Sequence, residues 1–254
     1  MLFRIIPTLL SHDGDLVKSK KFKNNTYIGD PVNAVKIFNE KEVDELIFLD
    51  IQSTRINQEP NFELIEEIAS ECFMPLSYGG GINTMGHIDK ILSLGVEKIV
   101  LNNLINKDVK VIKDAAKKFG SQFLVASVDI KKDFFGNYGV YNYLNKSYLS
   151  KDIQGYVKFI SSLGFGEIYL NNVDRDGMMN GIDLNIVSTV VENTDLPLIV
   201  CGGLKDIDDI KSLKDLGCSG VSAGSYFIFQ GIHRAVLISY PNKDLIEQFL
   251  EKND

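Results

Sequence analysis

The chain has 254 residues, 44 % of them hydrophobic and 24 % charged, with a formal net charge of −7. That length and apolar content suit a packed core without staples, as one large α/β barrel or two small domains. The negative balance argues against nucleic acid, and Cys72, Cys201 and Cys218 show neither metal-ligand nor disulfide spacing. No metal or cofactor is expected, and three dispersed thiols fit a reducing cytoplasm. The start, with an early Arg4 and then Pro7, reads as a buried first strand rather than a signal peptide or membrane span.

Short apolar runs alternate with longer amphipathic stretches. Strands are predicted at 3–9, 45–51, 74–78, 97–102, 122–128, 167–172, 196–200 and 219–223. Most are continuously apolar, as parallel strands covered on both faces should be. Helical spacing fills the gaps at 31–40, 62–72, 84–94, 108–119 and 206–216. Asn106 is read as the cap of the helix starting at Asp108. Gly95, Gly120, Gly164 and Gly217 each follow a helical stretch, where C-terminal caps belong. Eight βα units over 1–254 predict an α/β fold, a single (βα)₈ TIM barrel. A doubly wound sheet, with fewer strands and one dominant glycine fingerprint, ranks second.

The chain also repeats itself. Pro75-Leu76, Gly80-Gly81-Ile82 and Leu94-Gly95 return as Pro197-Leu198, Gly202-Gly203-Leu204 and Leu216-Gly217, always 122 residues later, and Glu45 returns as Glu167. A half-barrel duplicated once accounts for the constant offset.

Barrel sites are built from the loops after the strands. Gly80 and Gly81 follow strand three, and Asn102 and Asn103 end strand four. Asp176 and Gly177 follow strand six, Gly202 and Gly203 strand seven, and Gly224 and Ser225 strand eight. Glycine lets backbone N–H groups approach an anion, so two cups, one on each half, suit a ligand with two phosphate-like ends. A single Gly-Gly pair would be no more than a tight turn. Asp129, closing strand five, is the first acid/base candidate, because burial at the rim tunes a carboxylate. Asp50 and Asp176 either hold a ligand hydroxyl or serve their own loops. Lys18 lies in the segment after strand one, where Lys20, Lys21 and Lys23 suggest a mobile basic lid that steers substrate. His12, His87 and His233 have no triad or metal spacing and read as structural.

Arg4, Glu45, Lys98 and Glu167 stand at or near the opposite ends of strands one, two, four and six. Two cations and two anions there either form a ring at the barrel floor or are four unrelated strand-start charges.

Together these residues resemble the HisF family, the cyclase subunit of imidazole glycerol phosphate synthase. The resemblance runs through Arg4-Ile5-Ile6-Pro7, Asp13-Gly14, Gly29-Asp30-Pro31, Asp44-Glu45-Leu46, Phe48-Leu49-Asp50-Ile51, Gly79-Gly80-Gly81-Ile82, Phe119-Gly120-Ser121-Gln122 and Asp174-Arg175-Asp176-Gly177. It implies a ribulose-phosphate-binding barrel with a HisH-like glutaminase docked on its floor. Ammonia then passes along the barrel to a phosphorylated substrate at the rim. It also implies a floor gate of Arg, Glu, Lys and Glu, matched here by Arg4, Glu45, Lys98 and Glu167. Of the family's two catalytic aspartates, one matches Asp129. The other falls where this chain has Leu10, in Pro7-Thr8-Leu9-Leu10. Asn103 and Asn171 stand where Ser or Thr is usual, and Cys201 replaces a Ser. Pro7 to Leu10 and the stretch 27–41 look most like paralogues found with surface-polysaccharide (lipopolysaccharide) genes. Those are associated with converting a sugar acetamido group to an acetamidino group, with a glutaminase and a separate sugar amidotransferase. Authentic cyclase activity in histidine biosynthesis, a non-catalytic ammonia conduit, and the sister isomerase with the same duplicated barrel are the rival expectations.

Overall fold

A computed structural model describes residues 3–242; Met1 and Leu2, ahead of the predicted first strand, lie outside them. The strands of the main sheet are β1 (Arg4–His12), β2 (Asp15–Lys20), β3 (Lys23–Gly29), β4 (Leu46–Asp50), β5 (Leu76–Gly79), β6 (Lys98–Leu101), β7 (Leu124–Lys132), β8 (Tyr138–Asn142), β9 (Ser147–Ser150), β10 (Glu167–Asn172), β11 (Leu198–Cys201) and β12 (Gly220–Ala223). A parallel ladder runs β1, β4, β5, β6, β7, β10, β11, β12, and β12 returns to β1 with Arg4 opposite Gly220. The sheet is therefore closed, and the predicted (βα)₈ barrel is the observed fold.

The helices are α1 (Pro31–Glu40), α2 (Phe62–Glu71), α3 (Met85–Ser93), α4 (Leu104–Lys107), α5 (Val109–Phe119), α6 (Ile153–Ser161), α7 (Leu184–Val191), α8 (Ile207–Asp215) and α9 (Ser225–Ile228). Their starts follow local chemistry. Asp30 accepts the Asn33 N–H ahead of α1, and Pro31 takes a first position whose N–H has no helical partner anyway. Thr84 caps α3 and Asp152 caps α6 in the same way. The cap of α5 is Asp108, whose carboxylate accepts from Lys110 and Val111 N–H, and not Asn106, which is already inside α4. The four glycines expected after helices all take the positive φ of a helix stop, 86–99°.

Strand alternation sorts the core into two shells. One strand face, with Ile5, Leu9, Phe48, Leu101 and Leu170, packs under the helices. The other fills the barrel with Ile6, Ile47, Val100, Val125, Tyr169 and Ile199. Each such side chain, fully buried, contributes roughly 1.5–3 kcal/mol.

Two expectations change. The segment after strand one is no separate loop: β1 continues to His12, and β2 and β3 form an antiparallel extension on it. Lys18 is a buried strand residue there, 4 % exposed. Likewise β7 does not stop at Asp129 but runs to Lys132, where it pairs with the hairpin β8–β9. Leu16 and Val17 in β2, and Val140 and Tyr141 in β8, are consecutive buried pairs, so both faces of these strands are covered. No described helix is long and apolar enough to cross a membrane.

Candidate active site

The inward-facing row of β1 orders the barrel from end to end. Arg4 lies at the floor, Ile6 in the apolar middle, and Thr8 and Leu10 in a cavity at the rim. That cavity collects Lys18, Asp50, Gly80, Gly81, Asn102, Asn103, Asp129, Asn171, Asp176, Gly224 and Ser225 from eight different loops and strand ends. These residues were expected to share a site, and the closed sheet brings them together.

Asp129 is 9 % exposed. Asn102 Nδ2 donates to its Oδ2 at 3.1 Å and to the Ser127 carbonyl at 3.0 Å. Burial pushes the Asp129 carboxyl up to about 7; the Asn102 hydrogen bond opposes this and the Asp176 charge adds to it. Lys18 donates to the Thr8 carbonyl. Its burial lowers the amine to about 8, against the favourable field of Asp176. Asp176 is itself raised by burial, while Lys18 and a 3.1 Å bond from Ser19 Oγ counter the rise. An acid and a base, both shifted toward neutrality, thus face one cavity, the pattern general acid–base chemistry needs.

Other expected groups serve the scaffold. Both Asp50 oxygens are taken by its own loop: Oδ1 accepts Gln52 and Ser53 N–H at 2.9 Å each, and Oδ2 takes the Ser53 hydroxyl. Gly81 N–H donates to Thr54 Oγ1 at 3.0 Å, and a Cβ there would meet Pro60 N at 2.9 Å. The glycine therefore lets the loop after β4 lie against the loop after β5. Gly177, Gly202 and Gly203 stand behind the cavity wall. A Cβ on them would run into Ser19, Asn172 and Gly181 backbone respectively, so they permit close loop packing. The wall carries instead Gly224 and Ser225 at the start of α9, and Asn103 at the start of α4. Asn171, 8 % exposed, leaves its Oδ1 without a partner. An unpaired buried acceptor beside a cavity is a place for a ligand donor.

Several cavity residues escaped the sequence reading. Thr8 and Tyr169 sit one step below the rim, joined at 3.2 Å between hydroxyl oxygens, and Thr8 also reaches Ser222. Period-two alternation from Arg4 and Glu167 was signal enough to find both. Phe22, from the β2–β3 turn, meets Tyr143, from the β8–β9 turn, edge to face at 5.6 Å. Arg55 covers the Tyr143 ring at 5.3 Å. Nothing local marks these three, because separate loops bring them together.

At the opposite end the four expected charges form a ring. Arg4 Nη1 pairs with Glu45 at 2.7 Å, and its Nη2 with Glu167. Lys98 Nζ pairs with Glu45 at 2.9 Å and Glu167 at 3.1 Å, and Ser77 Oγ donates to Glu45 at 2.9 Å. Burial alone would lower the Arg4 guanidinium, but Glu167 and Glu45 outweigh it and raise it. The ring encloses the axis and is internally neutral. Phe73, 82 % exposed, lies in the turn before β5 on the same end.

Residues 4–233 match the model of the family described as "Histidine biosynthesis protein". A protein of Pseudomonas aeruginosa, provisionally named imidazole glycerol phosphate synthase subunit hisF2, is 49 % identical over 96 % of this chain and 98 % of its own length. A provisionally named HisF of Leptospira interrogans is 47 % identical over 95 % of this chain and 96 % of its own. The imidazole glycerol phosphate synthase subunit HisF of Streptococcus mutans is 35 % identical over 88 % of this chain and 90 % of its own.

Proposed function

Given that this chain belongs to the HisF family of histidine-biosynthesis barrels, we propose that it draws ammonia from a glutaminase seated on its floor and releases it at its rim. The ammonia serves amidination of a surface-polysaccharide sugar by a separate amidotransferase. The family is that of imidazole glycerol phosphate synthase subunits, and a glutaminase is the partner its complexes employ. The observation that carries the reading is the neutral ring of Arg4, Glu45, Lys98 and Glu167 closed around the barrel axis below an apolar middle layer. A buried ion-pair ring is weak stabilisation next to apolar packing, so a gating role explains its presence better than stability does. Phe73, exposed at the same end of the barrel as the ring, gives the glutaminase an apolar contact.

Leu10 directs the reading away from cyclisation. It lines the cavity where the family carries its second catalytic aspartate, and a leucine transfers no proton. Loss of one acid/base group costs about 10²–10⁴ in rate. The cyclase reading keeps one observation of its own: Lys18 titrates near Asp129 and faces the same space, so the pair supplies two proton-transfer groups without Leu10. The polar cavity wall of Lys18, Asn102, Asn103 and Ser225 supports a phosphorylated ligand in either case. A cytoplasmic setting suits the three free thiols.

The test is reconstitution. The barrel, a HisH-type glutaminase and the amidotransferase should give an amidino sugar from glutamine, and omission of the barrel should leave only product made from added ammonium. Equal glutamine-dependent product with and without the barrel would remove the ammonia-supply role.

A further inference from the structure

A lysine sealed in a protein normally has a carboxylate against it, because an unpaired buried ammonium is expensive. Lys18 departs from this. It is 4 % exposed, its amine donates to the neutral carbonyl of Thr8, and no carboxylate among the described residues forms an ion pair with it. Asp176 acts on it through space only. Gly224 leaves the room the amine occupies: a Cβ there would overlap Lys18 Nζ and stand 2.8 Å from its Cε. Lys18 lines the rim cavity together with Asp129, Gly224 and Ser225. A buried amine with no carboxylate in contact, on the wall of a cavity with an acid nearby, is arranged as a nucleophile.

We infer that Lys18 forms an imine with the carbonyl carbon of a small phosphorylated aldehyde or ketone bound in the rim cavity. The amine adds to the carbonyl, the carbinolamine loses water, and a C=N bond replaces C=O. Asp176, held by Ser19, gives the departing hydroxyl its proton and recovers one from the nitrogen. Ammonia reaching the same cavity adds to the imine carbon and expels Lys18 as the free amine, leaving the ligand with a C=NH group that water returns to the carbonyl as ammonia is released at the rim. The last step rests on the ammonia reading above; the first does not. The lowered amine, titrating near 8, makes the nucleophilic form available at neutral pH.

The experiment is reductive trapping on the full chain. Dihydroxyacetone phosphate is the probe, dihydroxyacetone its uncharged control, and cyanoborohydride the reductant; adducts are mapped by mass spectrometry. Lys18 should carry the adduct, with an inflection near pH 8. At pH 7 its labelling should exceed that of an ordinary exposed lysine on the order of 100-fold. Lys18→Arg should lose the adduct. Because that variant can misfold, wild-type protein unfolded in urea is the second control, in which the preference for Lys18 should vanish. Added ammonium should reduce the trapped adduct. An unlabelled Lys18, or equal labelling across the lysines of the folded chain, overturns the proposal. Labelling that ammonium leaves unchanged overturns the displacement step alone. Equal labelling by both probes keeps the imine and removes the phosphate seat.

Discussion

Removing Lys98 takes one side out of the floor ring. In Lys98→Ala, Glu45 loses contacts of 2.9 and 3.0 Å and Glu167 one of 3.1 Å, leaving Arg4 as the ring's remaining cation. The ring passes from neutral to one net negative charge. Both carboxylates are nearly sealed, at 3 % and 8 % side-chain exposure, whereas Lys98 is 21 % exposed and still reaches water. Breaking a fully buried pair costs about 3–5 kcal/mol, so with partial hydration of the lysine a cost of roughly 2–4 kcal/mol follows. In a protein this size that lowers Tm by roughly 4–15 °C and leaves it folded at 25 °C. The functional effect is separate. Ammonia entering beside two under-neutralised carboxylates is held as ammonium, and an open ring lets it leak. The assay compares glutamine hydrolysed with amidino product formed, then repeats with free ammonium. The expected result is at least a tenfold fall in product per glutamine, with the ammonium-fed reaction within about twofold of wild type. Equal losses with both nitrogen sources would refute the gating argument, and Lys98→Met, which keeps the stem, separates charge from packing.

Asp129 titrates near 7 instead of the ordinary 3.8, so the folded chain holds an extra proton between those values. Its stability contribution is present below 3.8 and lost as pH rises through about 7. Asp129→Asn should therefore raise Tm at pH 8 by several degrees; a lower Tm at pH 8 would show that the carboxylate is not desolvated. Lys18 is shifted the other way, so its charged form weakens the fold below about pH 8 and the penalty lifts as pH rises toward 10.5. Lys18→Met should stabilise most at pH 7, measured by thermal unfolding across that range. Gly80→Ala places a Cβ against the Asp50 backbone at φ 126°, and should cost about 3 kcal/mol or more by urea denaturation. Leu10→Asp restores a carboxylate to the cavity wall and should raise ammonium-dependent turnover of the histidine-pathway phosphoribulosyl substrate at least tenfold; an unchanged rate means other rim residues bar cyclisation.

The barrel was legible because its signals are local and repeated. Continuous apolar runs, glycines after helices and the constant offset between Gly80-Gly81 and Gly202-Gly203 all survive in one dimension. The floor ring was legible for the same reason, since strand starts in a closed sheet must converge. The hairpins were not. Lys20 to Asn25 carry a charge run that looks like a solvated loop, yet the strands take their pairing from β1, which local composition does not report. The same omission hid the meeting of Phe22, Arg55 and Tyr143, and made Asp129 look like a strand end when β7 runs three residues further. Gly177, Gly202 and Gly203 were assigned to an anion cup by residue type; whether a glycine serves a ligand or a neighbouring backbone depends on loop packing. The burial of Lys18 depends on Gly224, distant in the chain, and on Thr8, ten residues away in the neighbouring strand.

The most direct measurement is the loss of the phosphoribulosyl substrate when it is mixed with the purified barrel and excess ammonium, which removes any need for a glutaminase. An ammonia-supplying barrel with Leu10 in place of an acid/base group should turn it over at least 10²-fold more slowly than a working cyclase. Turnover at the rate of a working cyclase would contradict the account and make this chain a cyclase that dispenses with the second aspartate.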